Sequence, residues 1–197
     1  MTAEVHGEGR GIGLRAEGQV HEYLPGQWTL RNTAVHEMGH AHVALHFGVS
    51  SRVSIWHNGI GWAGRCHYQG KHHPRTRLAC TVPLGGIVAE ALLHGVDPAS
   101  LHARLMASDS WRESVDARAS AERNGTLTVA HLTRCYRILR GSRAAVDKGA
   151  NALIRAAERR GLFGEDNPLS TVVSAPAPIL DPFQLGDADG RYRGDSE

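Results

Sequence analysis

The chain has 197 residues and sets 22 lysines and arginines against 20 acidic residues, for a net charge of +2. That length suits one well-packed domain with tails. So even a charge balance gives no general electrostatic reason to expect nucleic acid or an anionic membrane as partner. Three cysteines (Cys66, Cys80 and Cys135) without a CxxC pair fit a reducing compartment better than a disulfide framework. No signal pattern opens the chain, and the uncharged stretch at 78–89, interrupted by Pro83, is too short to cross a bilayer. The expectation is a cytoplasmic protein with no membrane segment.

Residues 1–26 are glycine-rich ("GEGRGIGLRAEGQ") and read as a flexible arm. Residues 27–163 read as the folded core. Residues 164–197 mix proline with acidic and small residues and read as a disordered tail. The stretch "TAVHEMGHAHVALHFG" at 33–48 predicts a helix, capped by Asn32 or Thr33 and ended by Gly48. Its apolar residues Ala34, Met38, Ala41 and Leu45 form a stripe at helical spacing. Next, "RVSIWH" and "GWAGRCHY" flank Asn58-Gly59-Ile60 and predict a β-hairpin over 52–68. A helix over 75–94 is expected to kink at Pro83 and Gly85-Gly86 and to stop at Gly95. Further helices are expected at 98–123, 128–140 and 143–160. The fold class is therefore mainly α (α+β), with a small β-hairpin or sheet beside the first helix.

That first helix carries four of the 13 histidines. In "HEMGH", His36 and His40 stand at i and i+4, one above the other, so both imidazoles can reach one ion. Zinc suits such a pair, since imidazole is a good ligand and an open tetrahedral site keeps a place for water. Glu37 sits beside them as a general base on zinc-bound water, which is the division of labour in HExxH metallopeptidases. Gly39 is expected to leave room beside the metal. His42 and His46 repeat the i, i+4 spacing but on another face and without the glutamate, so a solvated or hairpin-packing role is preferred. His57 and His67, flanking the hairpin, read as surface strand positions. "KHHPRTR" at 71–77 is a single basic run and reads as a solvated loop.

Two histidines hold zinc poorly, so a third protein ligand is needed. The downstream acids of the core are Glu90, Asp97, Asp109, Glu113 and Asp116. Spacing alone does not choose among them.

The order of these features resembles the peptidase domain of the FtsH family of ATP-dependent zinc proteases. "TAVHEMGHAHVA" is similar to the family's HEAGHA helix, and "VSSRVSIWHNGIGWAGRCHY" to its strand, glycine turn and second strand. "PLGGIVAEALLHG" is similar to its GGRxAEExxFG helix, matching at Gly85, Gly86, Ala89, Glu90 and Gly95. The likeness covers about 33–160. It implies a helical zincin-type peptidase domain at 27–163. The third ligand would then be an aspartate from a pattern close to ASNDLxxATxxAR. "ASDSWRESVDAR" supplies Asp109, with Ala117 and Arg118 at the required distances. Glu90 is the fallback ligand, and the resemblance gives it a supporting role.

These readings combine into a zinc-dependent metalloendopeptidase acting on peptides or unfolded proteins, with His36, His40 and Asp109 as ligands and Glu37 as base. No GxxxxGK[ST] occurs, so an unfolding motor would have to come from a separate ATPase or adaptor. Substrate is expected to add as a strand along an open edge, with Val53–His57 the favoured one. An oligomer is possible, and nucleic acid is not expected as a partner. Two alternatives stand beside this. One is a zinc-stabilised peptide-binding or regulatory protein without turnover. The other is a helical nucleic-acid binder using "KHHPRTR" and the arginine-rich last helix.

Overall fold

The computed structural model describes residues 4–7, 29–68, 77–107 and 115–174. In chain order these form strand β1 (Glu4–Gly7), helix α1 (Leu30–His46) and strands β2 (Ser51–His57) and β3 (Trp62–Tyr68). Helix α2 (Arg77–Thr81) then leads through a 3-10 turn (Val82–Leu84) into α3 (Gly85–Leu93). Helices α4 (Pro98–Ala107), α5 (Val115–Asn124) and α6 (Val129–Arg160) follow, and β4 (Leu169–Val173) comes last. The fold is mainly helical with one small antiparallel sheet, as the sequence predicts.

Helix α1 is the axis of this arrangement. Every residue from Thr33 to Ala44 is buried, so the helix has no solvated face. Strands β2 and β3 pack on one side of it, and α3 and α6 on the other. The predicted stripe of Ala34, Met38 and Ala41 is core, while Leu45 lies just past the enclosed stretch and is only partly buried. The cap also differs from expectation. Thr29, not Asn32 or Thr33, holds the helix start, its Oγ1 accepting from the Asn32 backbone N–H at 3.1 Å. Thr33 is turned inward instead and donates to the Trp62 carbonyl at 3.1 Å, tying helix to hairpin.

The hairpin forms at the predicted place. Asn58 Oδ1 accepts from the Ile60 and Gly61 backbone N–H groups, and Gly59 takes φ 92°, which a side chain would oppose. The sheet order is β1-β3-β2-β4. Strand β2 therefore pairs on both sides, with β3 from Ser51 to His57 and with β4 from Ser51 to Ile55. This corrects the expectation that Val53–His57 is an open edge. Beyond the β4 pairing, His57 N–H donates to the Phe163 carbonyl at 2.8 Å, so that end is covered too.

Two boundaries move for the same reason. Unpaired backbone at a sheet margin favours any segment able to satisfy it. Strand β4 lies inside the expected tail, and β1 inside the expected arm. In β4, Leu169, Thr171 and Val173 are partly buried while Ser170 and Val172 are exposed. A Ser54–Ser170 hydroxyl bond of 2.8 Å fixes its place on β2.

Pro83 ends α2 and opens the 3-10 turn, so the helix expected over 75–94 is broken where the kink was predicted. Gly95, at φ 72°, follows its end. Of the single helix expected over 98–123, the described residues form α4 and α5. By contrast, the helices expected at 128–140 and 143–160 are one, because Gly141 does not interrupt α6. One exposed glycine costs about 1 kcal/mol of helix propensity. The buried ridge of α6, Leu132, Cys135, Leu139, Val146, Ala150, Leu153 and Ala157, outweighs that loss.

Helices α1 and α3 approach each other backbone to backbone. A Cβ on Gly39 of α1 would overlap the Gly85 carbonyl oxygen and Ala89 Cβ of α3. Gly39 thus admits a neighbouring helix rather than leaving space beside a metal, a correction to the sequence reading. Gly39→Ala is expected to lower the unfolding free energy by about 2 kcal/mol, as overpacking typically does, measured by chemical denaturation.

Candidate metal centre

Helix α1 carries the HEMGH residues between α3 and the sheet. Helix α1 supplies His36, Glu37 and His40, each at most 2% exposed. The two imidazole rings converge edge to face, centroids 4.8 Å apart, and their Nε2 atoms stand 3.1 Å from each other. On the far side of each ring, Nδ1 is already engaged. His36 Nδ1 meets Glu90 Oε1 of α3 at 2.5 Å, and His40 Nδ1 meets the Val82 carbonyl of the 3-10 turn at 2.7 Å.

These contacts constrain where the protons sit. A carbonyl oxygen only accepts, so His40 Nδ1 carries the hydrogen and donates it to Val82. In the neutral ring, His40 Nε2 is then an acceptor. The Glu90 carboxylate imposes the same tautomer on His36. Two acceptor nitrogens that converge to 3.1 Å in a buried site form the kind of paired donor set that a shared cation takes. Two zinc ligands at about 2.0–2.1 Å from a tetrahedral ion would be about 3.3 Å apart. The donor chemistry and spacing of the pair therefore fit zinc, and the carboxylate and carbonyl behind them are the supports that metal-binding histidines use.

The glycines of the neighbouring elements make this packing possible. A Cβ on Gly86 of α3 would overlap the His36 ring itself. One turn further along α3, Glu90 reaches the Nδ1 of the same ring, so Gly86 and Glu90 act as floor and anchor from one helix face. On the sheet side, a Cβ on Gly64 of β3 would lie 2.5 Å from Glu37 Cγ and 2.9 Å from its Oε1. The bare backbone there is what lets the Glu37 carboxylate lie between helix and sheet beside the histidine pair.

The remaining candidates separate clearly. Asp97 is exposed and caps α4, accepting from the Ala99 and Ser100 N–H groups and the Ser100 hydroxyl, and these bonds hold its carboxyl below the usual range. It is not part of the centre. Asp109 and Glu113 lie outside the described residues, as does the Asp116 side chain. Glu90 is committed to His36 Nδ1. Among the described residues, no three His, Cys, Asp or Glu side chains are grouped to hold a metal ion. His42 is buried, against the solvated alternative, and burial pushes its imidazole pKa down; His46 is exposed against Phe47. His57 packs edge-on to Trp62 at the hairpin, and His67 is half-buried on β3. The run at 71–77 falls outside the described residues except for Arg77 in α2.

Sequence reasoning missed the anchoring role of the Val82 carbonyl and the jobs of Gly64 and Gly86. Only the last had a readable signal: Gly86 and Glu90 are four apart on one predicted helix. No family model, curated protein or solved structure matches the chain. Among the described residues no single helix is long and apolar enough to cross a membrane.

Loss of an anchor behind a metal-binding histidine typically weakens binding about 10–100-fold. Glu90→Gln is accordingly expected to lower zinc affinity by that factor while leaving the circular dichroism spectrum unchanged, with affinity read by competition against a chromogenic chelator.

Proposed function

We propose that the chain is a zinc-dependent metalloendopeptidase acting on peptides or unfolded polypeptides. The observation that carries this reading is the buried His36–His40 pair, with Nε2 atoms 3.1 Å apart and both Nδ1 atoms anchored, beside the buried Glu37. His36 and His40 would hold the ion, together with an acid that the resemblance identifies as Asp109. Bound zinc would supply a Lewis acid for the peptide carbonyl and for the attacking water.

The chain's own residues do the rest. Glu90 and the Val82 carbonyl fix both ring orientations, so no reorientation is needed when an ion enters. Glu37 removes the proton from the attacking water and returns it to the leaving amine, and its burial between α1 and Gly64 keeps bulk water from competing for that proton. With β2 enclosed, an extended substrate has the sheet margins at β1 and β4 to consider rather than Val53–His57. Since no nucleotide-binding motif accompanies the centre, flexible or already unfolded chains are the substrates it can take without help from a separate ATPase or adaptor.

The test is a casein-cleavage assay paired with elemental analysis on purified protein. The wild-type chain should carry zinc and lose hydrolysis to a chelator. Glu37→Gln should keep its zinc and cleave about 10²–10⁴-fold more slowly, the usual contribution of a general base. Unchanged cleavage by that variant removes the mechanism. Zinc without cleavage in the wild type leaves the peptide-binding reading in its place.

The ligand assignment has its own test. Asp109→Ala is expected to purify with zinc well below one per chain, as is His36→Ala. Full occupancy in Asp109→Ala would remove that residue from the centre.

A further inference from the structure

Helix α6 holds eight lysines and arginines and two acids, so the rest of the chain is net acidic by four charges. The near-neutral total hides this division. On a helix of 3.6 residues per turn, Arg134, Arg137, Lys148, Arg155 and Arg159 fall within a sector of about 60°. All five are exposed. At 1.5 Å per residue the row runs for about 38 Å along one continuous rod.

No acid interrupts it. Asp147 and Glu158, the two acids of the helix, lie about 60–80° beyond its edge. Asp147 is turned to Arg143, outside the row, at 3.9 Å. Among the described residues, none of the five cations is paired with a carboxylate. Between the cations the same face carries Gly141, Ala145 and Ala152, also exposed, so nothing bulky holds a ligand's backbone away from the charges. At its N-terminal end the row enters a surface depression where Arg134 and Arg137 adjoin His46 and Phe47 of α1.

We infer that this face of α6 binds duplex DNA through its phosphates, without reading sequence. An acidic protein is the less suitable occupant. Stable protein interfaces are anchored by central aromatic or large apolar side chains, and the middle of this face offers only alanine and glycine. A phosphate backbone needs no such anchor, only cations at close approach. About 38 Å matches roughly eleven base pairs at 3.4 Å each. A straight row of this length lies along the outside of a duplex, against its phosphates, and the 3.4 Å repeat it is matched to is that of B-form DNA. The face carries none of the asparagine or glutamine side chains that pair with base edges, so binding is independent of sequence. The inference stands on α6 alone and is independent of the peptidase reading.

The experiment is fluorescence anisotropy of the full chain with a labelled 20-base-pair DNA duplex of mixed sequence, between 50 and 200 mM salt. Five phosphate contacts give a slope of log K against log[salt] of about −4.5, or a fall of roughly 500-fold over that range. Arg134→Ala/Arg137→Ala substitutes the best helix former at exposed positions and is expected to flatten the slope to about −2.7. Arg52→Ala, at an exposed position of β2, should leave it unchanged. Absence of binding at 50 mM salt, or an identical slope in the double variant, overturns the inference. So does tighter binding of polyglutamate than of the duplex, which assigns the face to an acidic protein, or preference for the same duplex made as RNA.

Discussion

Helices α1 and α3 meet main chain to main chain, through Gly39 and Gly85, and most of what is chemically interesting in this protein follows from that approach. Because no side chain stands between them, α3 comes near enough for Gly86 to lie under the His36 ring and for Glu90 to reach its Nδ1. The 3-10 turn that precedes α3 then falls where the Val82 carbonyl can take the proton of His40. Pro83 matters here, since it ends α2 and sets the chain into that turn. Burying four polar side chains and a carbonyl in one place would be costly if any were left unmatched. The close helix contact is what allows the imidazoles to be matched from behind.

The sheet closes the other side with the same device. Gly64 on β3 gives Glu37 its place. Thr33, one turn before Glu37, bonds the Trp62 carbonyl at the start of that strand. Helix, turn and strand thus each bring backbone close to the HEMGH residues, and α3 adds the Glu90 carboxylate. On the outer flank of α1, Gly149 of α6 makes room for Met38 in a comparable way, since a Cβ there would overlap the methionine's terminal methyl. An enclosed helix with polar residues at its centre depends on neighbours that are themselves slim.

Local signals were legible in the sequence, and long-range ones were not. The spacing of His36 and His40, the Asn58-Gly59 turn and the break at Pro83 each depend on a few adjacent residues, and each lies where the pattern puts it. Thr29 escaped notice as a cap because Asn32 and Thr33 are equally good capping residues, and only the inward pull of the Trp62 carbonyl decides between them. The purpose of Gly39 was misjudged because its neighbour, Gly85, is 46 positions away. The enclosure of β2 depended on a strand past residue 164, in a segment whose composition resembles a tail. The continuity of α6 through Gly141 reflects the buried ridge on its opposite face, a tertiary gain that propensity does not register. Net charge averages a cationic rod with an acidic remainder, so the division does not show in the total.

One consequence of the glycine-lined centre concerns how freely it can vary. The orientation of both imidazoles is set by one carboxylate, one carbonyl and the missing β-carbons of close-packed neighbours, all fixed by the way the surrounding elements meet. Such a site has few intermediate settings. A change in the pocket around the two rings therefore calls for matched changes on α3, the 3-10 turn and β3 together rather than one at a time.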